Sequence, residues 1–283
     1  MNNYAPDGRK AQLEIREAFP KIFERAYPAV DPTTPILSVL PLLRFHEIDV
    51  LPLSFDAVRR QKGVFGFSCL ARLIKVRPEG IGSFLRRPCE VVSEPLTTIR
   101  ADRSLSSLLN VFLRRRFGFA RVLESRGVGA LLTLTDVLGL YEGGTLRSSL
   151  TLEDVGSAAF SMPGESTVRE VLVEMFERRI RRVFVSGTNE FVWDRNIIEH
   201  LFSPAVLARV ALRESEDILE IPISGIGART AKDVEGRLPI REAAALLEVE
   251  PGQCLVFNEK VVTPWDVVMK PWKERELKIR NYR

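Results

Sequence analysis

The chain has 283 residues, 45% of them hydrophobic and 28% charged, with 41 basic and 37 acidic side chains for a net charge of +4. That length suggests about two ordinary domains, the composition is that of a globular protein, and the near balance of charge argues against a dedicated nucleic-acid binder. No apolar run reaches the roughly 18 residues of a membrane span, and the opening MNNYAPDGRK lacks the apolar stretch of a secretory signal, so the expectation is a cytoplasmic protein.

Residues 1–27 precede any regular pattern, and AQLEIREAFPKIF within them reads as an added helix that packs on the regular part of the chain. After Thr34-Pro35, a pairing suited to a helix start, Ile36, Val39, Leu40 and Leu43 occupy the i, i+3, i+4, i+7 positions of one helical face. Strands are predicted at 49–53 and 64–67, then a short helix from Ser68. A second unit has an extended lead-in at 95–99 and a helix starting near Ser104 that presents Leu105, Leu108, Leu109 and Phe112. Strands at 119–123 and 129–132 come next, joined by the turn ESRGVG. The Gly- and Ser-bearing EGGTLRSSLT, 142–151, reads as a connection.

The third unit opens on a Thr167/Glu170 capping box and presents Val168, Val171, Leu172 and Met175, with strands at 182–185 and 191–193 around SGTNE. The fourth starts at Pro239 and presents Ile240, Ala243, Ala244 and Leu247. Its strands at 254–257 and 261–262 are joined by an Asn258-Glu259 hairpin. A basic tail, KPWKERELKIRNYR, closes the chain.

The first helices recur at spacings of 69, 63 and 72 residues. The strand-to-helix exits, placed at Ser68, Thr133, Trp193 and Thr263, recur at 65, 60 and 70. This is a fourfold repeat. Each unit is near the lower size limit for a free-standing core, so pairing is expected: one with two, three with four. Each pair would pack sheet on sheet about a pseudo-twofold axis, with helices outside. Cys69, Cys89 and Cys254 are odd in number and form no CxxC pair, and His46 and His200 stand far apart; neither a zinc site nor a histidine triad is indicated. No phosphate-loop, dinucleotide or nucleophile-elbow sequence is present, so catalysis is not expected.

The exits of repeats two and four share Thr-x-x-Asp, at Thr133/Asp136 and Thr263/Asp266. Such a tetrapeptide is first of all a helix N-cap with its capping partner. Its position at the carboxyl end of a strand, where helix N–H groups favour anions, also makes a nucleotide grip. The carboxylate could accept two ribose hydroxyls and the threonine hydroxyl could donate to phosphate. Both readings are open from the residues.

The repeat with its Gly-x-hydrophobic-hydrophobic-Thr-x-x-Asp exit resembles the cystathionine-β-synthase (CBS) domain. The match is fullest at Gly129-Ala130-Leu131-Leu132-Thr133-Leu134-Thr135-Asp136 and at Val261-Val262-Thr263-Pro264-Trp265-Asp266. The resemblance implies an α+β fold of tandem CBS pairs, two Bateman modules, as in stand-alone prokaryotic members and the γ subunit of AMP-activated protein kinase. On it the chain divides into a 1–27 extension, repeats at 28–78, 79–145, 146–205 and 206–270, and a 271–283 tail. It implies a non-catalytic sensor of AMP, ADP or ATP that regulates a partner protein in trans, with homodimerisation open. S-adenosylmethionine sensing is one alternative. A nucleic-acid-associated regulator using the basic tail with Trp272 and Tyr282 is another.

On the same resemblance Arg181 and Arg182 stand where a basic pair reaches ligand phosphates, a task suited to the guanidinium fork; the alternative is the solvated end of a helix. The nucleotide-binding set is then Thr133, Asp136, Thr263, Asp266, Arg181, Arg182 and Asn196. The carboxylate position is read as Ala71 in repeat one and Asn196 in repeat three, where Trp193 replaces threonine. The counterparts of the arginine pair in repeat two are read as Phe117 and Gly118, so the Asp266 cleft is expected to be the tighter one.

Overall fold

The computed structural model describes residues 13–25, 28–46, 48–54, 62–124, 129–142, 144–211, 218–250 and 252–281. After a short N-terminal helix α1 (Ile15–Ala18), repeat one supplies α2 (Ile36–Phe45), β1 (Val50–Pro52), β2 (Lys62–Phe65) and α3 (Gly66–Leu73), and α4 (Ile81–Leu85) follows. The chain continues through β3 (Glu94–Pro95) and β4 (Thr98–Arg100) into α5 (Leu105–Arg115), β5 (Phe119–Leu123), β6 (Gly129–Thr133) and α6 (Leu134–Glu142). A connection leads through α7 (Leu152–Val155), β7 (Ser157–Ala158) and β8 (Ser161–Met162) to α8 (Val168–Arg178), β9 (Arg182–Val185), β10 (Glu190–Trp193), α9 (Asp194–Leu201) and α10 (Pro204–Ala211). Then come β11 (Arg229–Thr230), β12 (Lys232–Asp233), α11 (Ile240–Val249), β13 (Leu255–Phe257), β14 (Lys260–Val262) and α12 (Pro264–Asn281).

The apolar period translates directly into these helices. α2, α5, α8 and α11 begin at Ile36, Leu105, Val168 and Ile240, and each buries the predicted quartet. The capping box is formed: the Thr167 N–H donates to Glu170 Oε2 at 2.8 Å and the Glu170 N–H to Thr167 Oγ1 at 3.2 Å. The Asn258-Glu259 hairpin has φ of 43° and 60°, the left-handed pair that a tight two-residue connection requires.

One exit differs from its expected place. β2 pairs with β1 through Phe65 and Val50, just as Thr133 pairs with Phe119 and Trp193 with Arg182. The strand therefore ends at Phe65 and the helix begins at Gly66. The four equivalent exits are Phe65, Thr133, Trp193 and Thr263, and Ser68, not Ala71, holds the place of Asp136, Asn196 and Asp266. Backbone bonds confirm the register. In repeats one, two and three the first N–H of the exit helix donates to the carbonyl ahead of the first strand: Gly66 to Asp49 (3.2 Å), Leu134 to Gly118 (2.8 Å) and Asp194 to Arg181 (3.3 Å); in repeat four the helix begins at Pro264, which has no N–H. Gly118 is thus the counterpart of Arg181, and Phe119 that of Arg182, one residue on from the pairing read in the sequence.

Four small sheets result, ordered β1-β2-β3, β4-β5-β6, β8-β9-β10-β11 and β12-β13-β14-β7. The first two meet over Val50, Phe65, Leu96, Phe119 and Leu131, and the other two over Phe184, Phe191, Trp193, Ala231, Cys254 and Val256. The helices do not all face outward. α3 packs on α8 and α9 and α2 on α9, while α6 packs on α11 and α12. One helical core joins repeats one and three, and a second joins two and four. Each module buries its helices against the other because a three- or four-stranded sheet with one helical layer leaves apolar helix faces uncovered.

Residues 13–25 fall within the stretch read as an extension, yet they build into repeat two. The Ile15 N–H donates to Arg103 O (2.9 Å) and the Leu105 N–H to Leu13 O (2.9 Å). In repeat four the Leu152 N–H donates to Leu238 O (3.1 Å) and the Ile240 N–H to Leu150 O (3.2 Å). α1 and α7 therefore occupy equivalent places. After α1 the chain makes a 3-10 turn at Ile22–Glu24 against β6 and returns to repeat one, where Val30 bridges Leu53.

Candidate functional site

Both Thr-x-x-Asp exits fold the same way. The Thr133 N–H and Oγ1 donate to Asp136 Oδ2 at 2.7 and 2.9 Å. The Thr263 N–H and Oγ1 donate to Asp266 Oδ2 at 3.0 and 2.8 Å. Each aspartate is the capping partner of its threonine, and each hydroxyl proton is directed to it. The expected donation from threonine to a phosphate is thereby replaced, since a carboxylate can only accept. What each exit keeps for a ligand is the outer oxygen, Oδ1.

The two outer oxygens have different neighbours. Asp136 Oδ1 is ion-paired with Arg25, which follows the 3-10 turn of the N-terminal segment. Asp266 Oδ1 has Lys270 one helical turn on, at 3.5 Å, beyond ordinary hydrogen-bond distance. Lys270 Nζ donates instead to the Val155 carbonyl and to Ser157 Oγ at 3.0 Å. The helical i, i+4 spacing would have revealed Lys270. Arg25 lies 111 residues from its partner, and no local signal could have revealed it.

The exits of repeats one and three carry aromatic rings. Phe65 packs at a tilt against Phe117 and Phe119, at centroid distances of 5.4 and 5.0 Å. Trp193 is 4% exposed and packs with Phe184, Phe191, Ala231, Cys254 and Val256 between repeats three and four. Arg195, Arg182 and Arg229 lie 4.5, 5.2 and 5.5 Å from its ring centre, the arrangement in which a cation meets an indole face. Asn196 is buried, and its Oδ1 accepts from the Trp193 N–H at 3.1 Å; it caps the helix as aspartate does in repeats two and four.

The two arginines part company. Arg181 is not turned toward an incoming phosphate. It donates to Asp49 at 2.8 and 3.0 Å and to Asp194 Oδ2 at 2.8 Å, and Arg195 also reaches Asp49 at 2.7 Å. Burial alone would raise the Asp49 pKa, but the Arg181 and Arg195 guanidiniums outweigh it and hold the carboxyl far below the usual range. Burial likewise disfavours charged Arg181, and Asp194 and Asp49 overcome it. These groups line a cavity of about 10 Å³ between repeats one and three, room for about one water. Arg182 points into the second module, donating to the Gly252 carbonyl at 3.0 and 3.3 Å. Burial lowers its pKa.

Trp272 of the basic tail is partly buried on the helical core of repeats two and four, and its Nε1 donates to Asn110 Oδ1 at 3.4 Å. Tyr282 lies outside the described residues. Among the described residues, no group of three or more His, Cys, Asp or Glu side chains is placed to hold a metal ion, and no helix is long and apolar enough to cross a membrane.

No family model matches the sequence, and no curated protein matches it significantly. Among solved structures, the fold is similar to that of protein MJ1225 from Methanocaldococcus jannaschii, with a TM-score of 0.75 at 15% identity over 89% of this chain and 96% of that one. Shorter matches include the CBS domain of the bacterial CNNM/CorC family Mg2+ transporter in complex with ATP, at 20% identity over 44% of this chain and 92% of that one, TM-score 0.33. CBSX2 in complex with AMP matches at 19% identity over 44% of this chain and 98% of that one, TM-score 0.35. The fold is α+β and of the CBS type.

Proposed function

We propose that this chain, with its four CBS-type repeats, is a non-catalytic adenine-nucleotide sensor that regulates a partner protein in trans. One observation carries the reading. Two exits, 130 residues apart, hold their threonine and aspartate in the same geometry, with one carboxylate oxygen fixed inward and the other turned outward at a helix N-terminus. Capping alone needs only the inner oxygen. An outer oxygen held at the end of a strand suits the vicinal hydroxyls of a ribose, and the helix N-terminus favours the attached phosphates. The fold shared with MJ1225, described as a candidate archaeal homologue of γ-AMPK, supports the same reading.

Arg182, beside Trp193 and opposite Gly252, is the phosphate-facing residue of the second module, and Arg181 joins the modules. AMP, ADP and ATP are the ligands to test. Titration calorimetry on the full chain should show binding that Asp266→Asn weakens at least tenfold, the scale of one charge-assisted hydrogen bond, with the melting temperature little changed. Asparagine at this place still caps, as Asn196 does. Absence of binding by all three nucleotides, or a variant that loses melting temperature but no affinity, would overturn the reading.

A further inference from the structure

Resting on that reading, the geometry points to Arg25 as an intramolecular occupant of the repeat-two exit, competing with a ribose for Asp136. The N-terminal segment is firmly seated. Ile15 and Ile22 are 0% and 2% exposed within the core of repeats two and four, and the backbone bonds to Arg103 and Ala101 fix α1 against the start of α5. The 3-10 turn then lies on β6, the strand that ends in Thr133, and delivers the guanidinium to Asp136 Oδ1.

With Oδ2 already accepting two hydrogen bonds from Thr133, this closes the carboxylate. The Asp136 side chain is 7% exposed, whereas that of Arg25 is 55% exposed. The cation can therefore swing into solvent without breaking any core, leaving a buried carboxylate in want of donors. Vicinal ribose hydroxyls are such donors. Among the described residues the cation at the equivalent Asp266 is Lys270 of the same helix, 3.5 Å from Oδ1 and hydrogen-bonded instead to Val155 and Ser157. The N-terminal segment thus makes two similar exits unequal.

An exit blocked for most of the time binds with an affinity reduced by the fraction that is open. A partly exposed ion pair corresponds to roughly a twofold to sixfold reduction. The test is calorimetric titration of adenosine and of ATP into the full-length wild type, Arg25→Gln, Asp136→Asn and the double variant. Arg25→Gln should tighten the weaker of two sites about twofold to sixfold for both ligands, and should do nothing when Asp136 is already asparagine. Unchanged or weakened binding by Arg25→Gln, or a loss confined to ATP, overturns the competition and leaves the sensor reading intact; the ATP-specific loss would make Arg25 a phosphate contact. No binding by any variant overturns both.

Discussion

Arg181 of repeat three and Asp49 of repeat one hold equivalent places in their repeats, and they bind each other, at 2.8 and 3.0 Å. Each lends its carbonyl to the first N–H of its own exit helix. The same backbone position thus carries opposite charges in the two repeats whose helices share a core, and the charges meet across the boundary between modules.

That pair should make stability depend on acid. The Asp49 carboxyl is held below its usual range in the folded state, so its contribution is complete above the unfolded value of about 4 and is lost as pH falls further, through the folded value. Asp49→Asn should cost about 2–3 kcal/mol at neutral pH, somewhat less than a fully buried pair because the Asp49 side chain is 27% exposed. Urea melts at neutral pH and near pH 3 check this: the difference between variant and wild type should be undiminished at the first and smaller at the second.

The capping role of the aspartates has its own signature. Asp136→Ala and Asp266→Ala remove the acceptor for two donors each. Each should lower stability by about 1 kcal/mol, as loss of a cap does. The asparagine variants should recover most of that in a thermal melt. Equal loss from alanine and asparagine would mean that charge, not the hydrogen bond, holds the helix start.

Gly252 is a close approach that no side chain can enter. Its φ is 88° and a Cβ there would lie 1.9 Å from Trp193. Gly252→Ala should destabilise by about 2–4 kcal/mol, combining left-handed strain with displacement of a packed ring. Trp193 fluorescence should shift to longer wavelength as the indole is pushed toward water. A variant with native stability and emission would show that this loop is free to move.

Cys69, Cys89 and Cys254 are each at most 1% exposed. Burial pushes their thiols up to about 12, about 11 and about 11. Because the thiolate is the reactive form, a disulfide reagent at mildly alkaline pH should find no thiol in the native protein and all three after denaturation. A fast-reacting native thiol would place one of them at the surface.

The helices and their apolar quartets were legible because a helical face leaves its period in the residues themselves. Ile36, Leu105, Val168 and Ile240 needed no partner to be recognised. Thr-x-x-Asp was legible for the same reason, since a cap and its acceptor are only three residues apart. Repeat one was misread because Ser68 resembles a cap, whereas the pairing of Phe65 with Val50 decides where the strand stops. What rests on contacts across tens to hundreds of residues left no such trace. Repeats one and three share a core, Arg181 is spent on Asp49, and Asp136 meets the distant Arg25 whereas Asp266 meets Lys270 of its own helix. Each of these depends on where the folded chain brings two distant segments together, and a local period carries no record of that.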